Sequence, residues 1–223
     1  MARRGASVAL VRLAVIGAAG RIGSRIVAEA LGRGYEVTMV VRDRSRVDGT
    51  ADRVVEADVF DPAAVAAAVA GADVVVNAAG HAATLDDADF YARAARSVVA
   101  ALRALDQTPR LIVVGGFGSL GDGTGHQYAD RPDLPATAAP EIVGQRDALT
   151  FYRGVGDLHW TYLSPPPGGI APGERTGTYQ LALDLIGDRD VASTLISMED
   201  YAVAVLDEAE RAEYPHACVV VMR

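Results

Sequence analysis

The chain contains no lysine: all 21 basic residues among its 223 are arginine. No side-chain amine is present to form a Schiff base, act as a tunable base, or depress a neighbouring tyrosine's pKa. Cysteine occurs once, at Cys218. That excludes an internal disulfide framework and suggests a small buried core residue in a reducing compartment. The four histidines are too scattered for a metal site. Positive charge is scarce, with a net charge of -8, which argues against a nucleic-acid surface. No apolar run reaches the roughly 18 residues of a membrane span. The opening "MARRGASVALV" has two arginines but no proper apolar core or cleavage site, so residues 1–11 read as a ragged extension and not a signal peptide. The expected location is the cytoplasm.

What remains is a globular composition, 50% hydrophobic and 22% charged, long enough for one full core. Strands and helices alternate. "RLAVIG", "EVTMVVR", "DRVVEAD", "ADVVVNAAG", "PRLIVVGG", "HWTYLSP" and "ACVVVM" read as strands, mostly buried on both faces. Helices are expected after Gly20, over "DPAAVAAAVAG" with Asp61 as N-cap, Pro62 in the first turn and Gly71 as stop, from about Asp86 to Leu105, from about Pro140 to Gly154, and over "EDYAVAVLDEAE". Two long glycine- and proline-rich stretches, after the fifth and sixth strands, read as functional or mobile loops. This pattern gives an α/β, doubly wound, mostly parallel sheet of the Rossmann type, a single domain over residues 12–223 with a small C-terminal substrate-side extension. Ligands of such folds bind outside the carboxyl ends of the strands, at the switch point.

The loop after the first strand is "GAAGRIG", with Gly17, Gly20 and Gly23. Glycine allows the tight turn and close approach of a pyrophosphate, and the following helix offers free N–H groups to it. Ala19, Arg21 and Ile22 complete that cradle. At the end of the second strand stands Arg42, followed by Asp43. A guanidinium there suits a ribose 2′-phosphate, whereas a carboxylate suits a free 2′-hydroxyl. Arg42, with Arg21 near it, favours NADP(H) over NAD(H), and Asp43 is the rival reading.

The segments "AVIGAAGRIGSRIVAEALGRGYEVTMVVRD", "DVFDP", "GADVVVNAAG", "LIVVGGFGSL", "WTYLSPP", "APGERTG" and "ISMEDYAVAVLDE" keep their order over nearly the whole chain. With them the chain resembles atypical short-chain dehydrogenases of the NAD(P)H-binding, NADH-flavin reductase type, related to biliverdin-IXβ/flavin reductase. The resemblance implies that Asp58 and Val59 contact the adenine, and that Asn77, Ala78, Ala79 and Gly80 close the fourth strand beside the cofactor. It implies further that Gly115, Pro165 and Pro166 lie on the nicotinamide side. It also shows a departure. Ser119 stands where the wider family carries a catalytic serine, but no tyrosine has a lysine four residues on.

Without that pair, the usual carbonyl–alcohol chemistry is excluded, while hydride transfer to a flavin, quinone or polycyclic acceptor is not, because positioning carries most of that catalysis. Ser119 and His81 are the candidate catalytic residues. Each also reads as an ordinary loop residue. Arg175, in "GERTG", reads either as an exposed loop arginine or as a ligand for an acidic group. The small-molecule acceptor is expected between that loop and "GGFGSLGDG". Two alternatives stand beside the reductase: an NADP(H)-binding redox sensor without turnover, and a natural-product tailoring isomerase or dehydratase. The chain is expected to work as a monomer or homodimer.

Overall fold

A computed structural model describes residues 11–47, 51–80, 87, 89–121, 125–183 and 194–223. The expected 1–11 extension lies, except for residue 11, outside the described residues, as do His81 and Asp86. In chain order the elements are β1 (Arg12–Ile16), α1 (Gly23–Gly32), β2 (Glu36–Val41), β3 (Arg53–Glu56), α2 (Pro62–Val69), β4 (Val74–Asn77), α3 (Phe90–Arg103), β5 (Arg110–Val114), α4 (Ala139–Arg153), β6 (Trp160–Ser164), β7 (Ile170–Ala171), β8 (Gln180–Leu183), β9 (Ile196–Ser197), α5 (Met198–Arg211) and β10 (Ala217–Met222).

Eight strands form one sheet in the order β3-β2-β1-β4-β5-β6-β10-β8. Pairing is parallel throughout except for β8, which runs antiparallel on β10. The order reverses between β1 and β4, which is the switch point of a doubly wound sheet. The two-residue side-chain period of each strand divides the core. From β1, Ala14 and Ile16 join the layer of α2, α3 and α4, while Leu13 and Val15 join that of α1 and α5. Each large aliphatic side chain so buried stabilises the fold by about 1.5–3 kcal/mol.

The helix stops and starts follow local chemistry. Asp61 caps α2 through Ala63 N at 3.0 Å and Ala64 N at 3.1 Å. Gly71 takes the left-handed conformation that ends that segment, at φ +83°. Helix α3 begins at Phe90, later than the sequence suggests, with Asp87 paired to Arg93 at 3.2 Å.

Both long loops are more structured than their composition suggests. Two 3-10 turns, Phe117–Ser119 and Tyr128–Asp130, order the first. The second contains β7 and then β8, where the sequence suggested loop alone. Only β10 and half-buried contacts hold β8, so its four residues show neither a continuous apolar run nor a clean alternation.

Candidate functional site

The seven residues from Gly17 to Gly23 form a cradle at the carboxyl end of β1. Gly17 has φ +78°, and a Cβ there would lie 2.6 Å from Ala78 O, so only glycine lets β1 and β4 approach this closely. Gly23 would drive a Cβ into the Gly17 carbonyl. The loop is tied to its neighbour by Gly17 N donating to Val40 O at 2.9 Å, and to itself by Gly20 N donating to Gly17 O at 2.9 Å. The N–H groups of Ala19, Arg21, Ile22 and Gly23 make no hydrogen bond among the described residues. Ile22, the N-cap of α1, supplies no side-chain cap. Four free donors at a helix N-terminus, with no Cβ in the way, fit a pyrophosphate.

At the end of β2 the carboxylate and the guanidinium part company. Asp43 Oδ1 accepts from Ser45 N at 2.9 Å and from Ser45 Oγ at 2.7 Å. These bonds to Ser45 hold the Asp43 carboxyl below its usual pKa. Arg21, Arg42, Arg44 and Arg46 are all exposed, and their side chains have no partner among the described residues. Elsewhere Arg12, Arg33, Arg103 and Arg175 each hold a carboxylate. After β3, Asp58 Oδ1 accepts from Phe60 N at 2.9 Å, which shapes the turn containing Val59. Phe60 packs edge-on against Phe90 at 5.2 Å, under the Arg93 guanidinium at 4.1 Å.

On the other side of the switch point, Asn77 is buried at 6% exposure, and its Oδ1 accepts from Ala79 N at 3.2 Å. That bond fixes the turn through Ala78, Ala79 and Gly80. Gly115 N donates to Leu163 O at 2.7 Å, and Ser164 Oγ donates to Gly116 O at 3.1 Å, joining the ends of β5 and β6. Pro165 and Pro166, which follow, are buried.

Residues 17–212 match the family model described as NAD(P)H-binding. The chain belongs to the NAD(P)H-binding family. It is 35% identical over 206 residues to the Bacillus subtilis (strain 168) protein YwnB, covering 92% of this chain and 94% of that one. Among solved structures it is similar to a "putative NADH-flavin reductase" from Streptococcus pneumoniae TIGR4, with 31% identity, a TM-score of 0.84, and 96% and 99% of the two chains covered. It is also similar to a "putative epimerase" from Bacteroides thetaiotaomicron, with 30% identity, a TM-score of 0.80, and 96% and 97% covered. Among the described residues, no helix of this NAD(P)H-binding protein is long and apolar enough to cross a membrane.

Two expectations about this family member's acceptor side change. Ser119 is not in a flexible loop: it ends a 3-10 turn, is 2% exposed, and its hydroxyl is sealed without a hydrogen-bond partner. Gly118, just before it, is pressed against the Ile142 carbonyl of α4, where no Cβ fits, so the turn is packed shut. Arg175 is not free to close over a substrate. Its guanidinium grips Glu29 of α1 with two bonds, at 2.6 and 2.8 Å. The rest of that loop is fastened by the buried Asp200 carboxylate, which accepts from Thr176 N at 2.8 Å, Gly177 N at 2.7 Å and Thr176 Oγ1 at 2.7 Å. "PGERTG" is therefore a strap across α1 and α5, on the layer opposite α3 and α4.

The structure also brings forward a pair that sequence reasoning missed. Tyr91 of α3 donates to Glu141 Oε1 of α4 at 3.0 Å, beside Gly80. The partners lie 50 residues apart, and no local spacing marks them.

Proposed function

We propose that the protein is an NADPH-dependent reductase that passes a hydride to a flavin, a quinone or a similar conjugated acceptor. The reading is supported by the free-amide cradle after β1 and by the similarity to a protein named an NADH-flavin reductase. That name carries NADH. What favours NADPH in this chain is a single observation: Asp43 is spent on Ser45, while Arg42 and Arg21 stand unpaired.

The dinucleotide, when bound, supplies the hydride. The chain's own residues hold and orient. The amides of Ala19, Arg21, Ile22 and Gly23 take the pyrophosphate, and Arg42 grips the 2′-phosphate through parallel N–H bonds. Asp58 and Val59 flank the adenine. Asn77 keeps the Ala78–Gly80 turn rigid, and the buried Pro165 and Pro166, with Gly115, form a stiff floor for the nicotinamide. Such an acceptor takes its protons readily from water, so neither Ser119 nor a tyrosine–lysine pair is required, and positioning carries the rate.

A titration of purified protein followed by calorimetry tests the cofactor choice. NADPH is expected to bind at least about tenfold tighter than NADH, ~1.4 kcal/mol, and Arg42→Ala should remove most of that difference. Equal or tighter NADH binding would overturn the Arg42 reading. The sealed Ser119 hydroxyl favours a second reading, a dinucleotide-binding sensor without turnover. NADPH oxidation that appears only when acceptor is added excludes the sensor.

A further inference from the structure

The N-terminal turns of α3 and α4 meet at the nicotinamide half of the crevice, and there they set one phenol. Tyr91 is the second residue of α3 and is 9% exposed. Its hydroxyl lies 3.9 Å from where a Cβ on Gly80 would be. Gly80 ends the turn leaving β4, the strand on the nicotinamide side of the switch point. A phenol has a single proton to donate. In Tyr91 that proton is already directed at Glu141 Oε1, 3.0 Å away. A carboxylate only accepts, so it holds the phenol in one orientation. What the Tyr91 oxygen then offers the crevice is a lone pair. Ser119, the other hydroxyl expected at this end, is sealed in the core.

We propose that Tyr91, oriented by Glu141, selects the acceptor by receiving a hydrogen bond from an N–H or O–H group on it. The favoured acceptors are conjugated rings that carry such a donor, an isoalloxazine with its free imide N–H being one. Rings that present only carbonyl oxygens or alkylated nitrogens set lone pair against lone pair and are disfavoured. This inference rests on the reductase reading and adds the chemical class of its substrate.

The test compares riboflavin with 3-methylriboflavin, which lacks the imide N–H. Dissociation constants are measured by flavin fluorescence on the full chain loaded with NADP+, and reduction is followed with NADPH. The wild type should bind riboflavin at least about tenfold more tightly, ~1.4 kcal/mol. In Tyr91→Phe the two flavins should bind within about twofold of each other. A purely steric objection to the methyl group would survive that substitution, which would overturn the proposal. Glu141→Ala, at an exposed position, frees the phenol proton, and 3-methylriboflavin should gain affinity several-fold. NADPH titration of both variants checks that the fold is intact. If the wild type binds and reduces both flavins equally, the reductase reading stands and this inference alone fails. If it binds NADPH but neither binds nor reduces either flavin, the two fail together.

Discussion

A methyl group added at Gly115 has nowhere to go, because its Cβ would overlap the edge of the Tyr162 ring. That ring is fully buried, and its hydroxyl is anchored to Gln145 Oε1 at 2.8 Å and Gln145 O at 3.0 Å, so it cannot swing aside. Gly115→Ala should therefore cost about 2–3 kcal/mol, in the upper range for overpacked cores. Gly32 is the opposite case. It is exposed, lies in the last turn of α1, and has open space where a Cβ would go. Gly32→Ala should stabilise by about 0.5–1 kcal/mol through helix propensity and a less flexible unfolded chain. Urea unfolding of the two variants checks both signs. A neutral Gly115→Ala would mean that β5 and β6 are less tightly joined than their hydrogen bonds indicate. Glycine-rich stretches look alike in sequence, and only their neighbours separate these cases. The loop from Gly17 to Gly23 was legible because its partners are contiguous or the adjacent strand. Tyr91 and Glu141 were not, because they meet only through the packing of two helices.

At the scale of elements, hydrophobic period and capping made β1 to β6, β10 and all five helices readable, with ends differing by a few residues. β8 was not, since a half-exposed edge strand gives no pattern of its own and is defined by its pairing to β10. The strap between β7 and β8 was read as a lid because polarity and glycine describe both kinds of segment. Its fastening is a carboxylate on α5, more than 20 residues downstream. Asp200→Ala removes that fastening and leaves two backbone N–H groups and a hydroxyl without their acceptor. A loss of about 2–3 kcal/mol is expected, the usual size for a charged hydrogen-bonded group. The strap should also loosen locally. Trypsin cleavage after Arg175 should accelerate well beyond what the change in global stability produces. Equal cleavage rates at matched stability would show that Arg175–Glu29 holds the strap alone.

Over the whole molecule, acidic residues outnumber basic ones, 29 to 21, yet several carboxyls are held ionised by arginine. Arg12 lowers the pKa of Asp73, and Arg103 that of Asp157. The largest effect is at Glu29, brought down to about 2 from an ordinary 4.5, first by the hydrogen bonds from Arg175 and then by Arg33. Arg33 also reaches Asp207 at 2.8 Å and Glu210 at 2.9 Å, so the network joins α1, α5 and the strap. A carboxyl whose folded pKa lies below its unfolded one stabilises the fold above the unfolded value. It loses that contribution as pH falls through the folded value. The full shift at Glu29 corresponds to about 3 kcal/mol. Arg175 is 55% exposed, and solvent screening brings the expected share down to about 1–2 kcal/mol. Glu29→Gln should therefore be less stable than wild type by that amount at pH 7. The gap should hold to about pH 4.5 and close between there and about pH 2, where wild-type Glu29 takes up its proton. Unfolding curves read from Trp160, which is 2% exposed and so reports loss of the core, measure the difference at each pH. A gap that stays constant down to pH 2 would mean that Glu29 acts through packing against α1 and not through its charge.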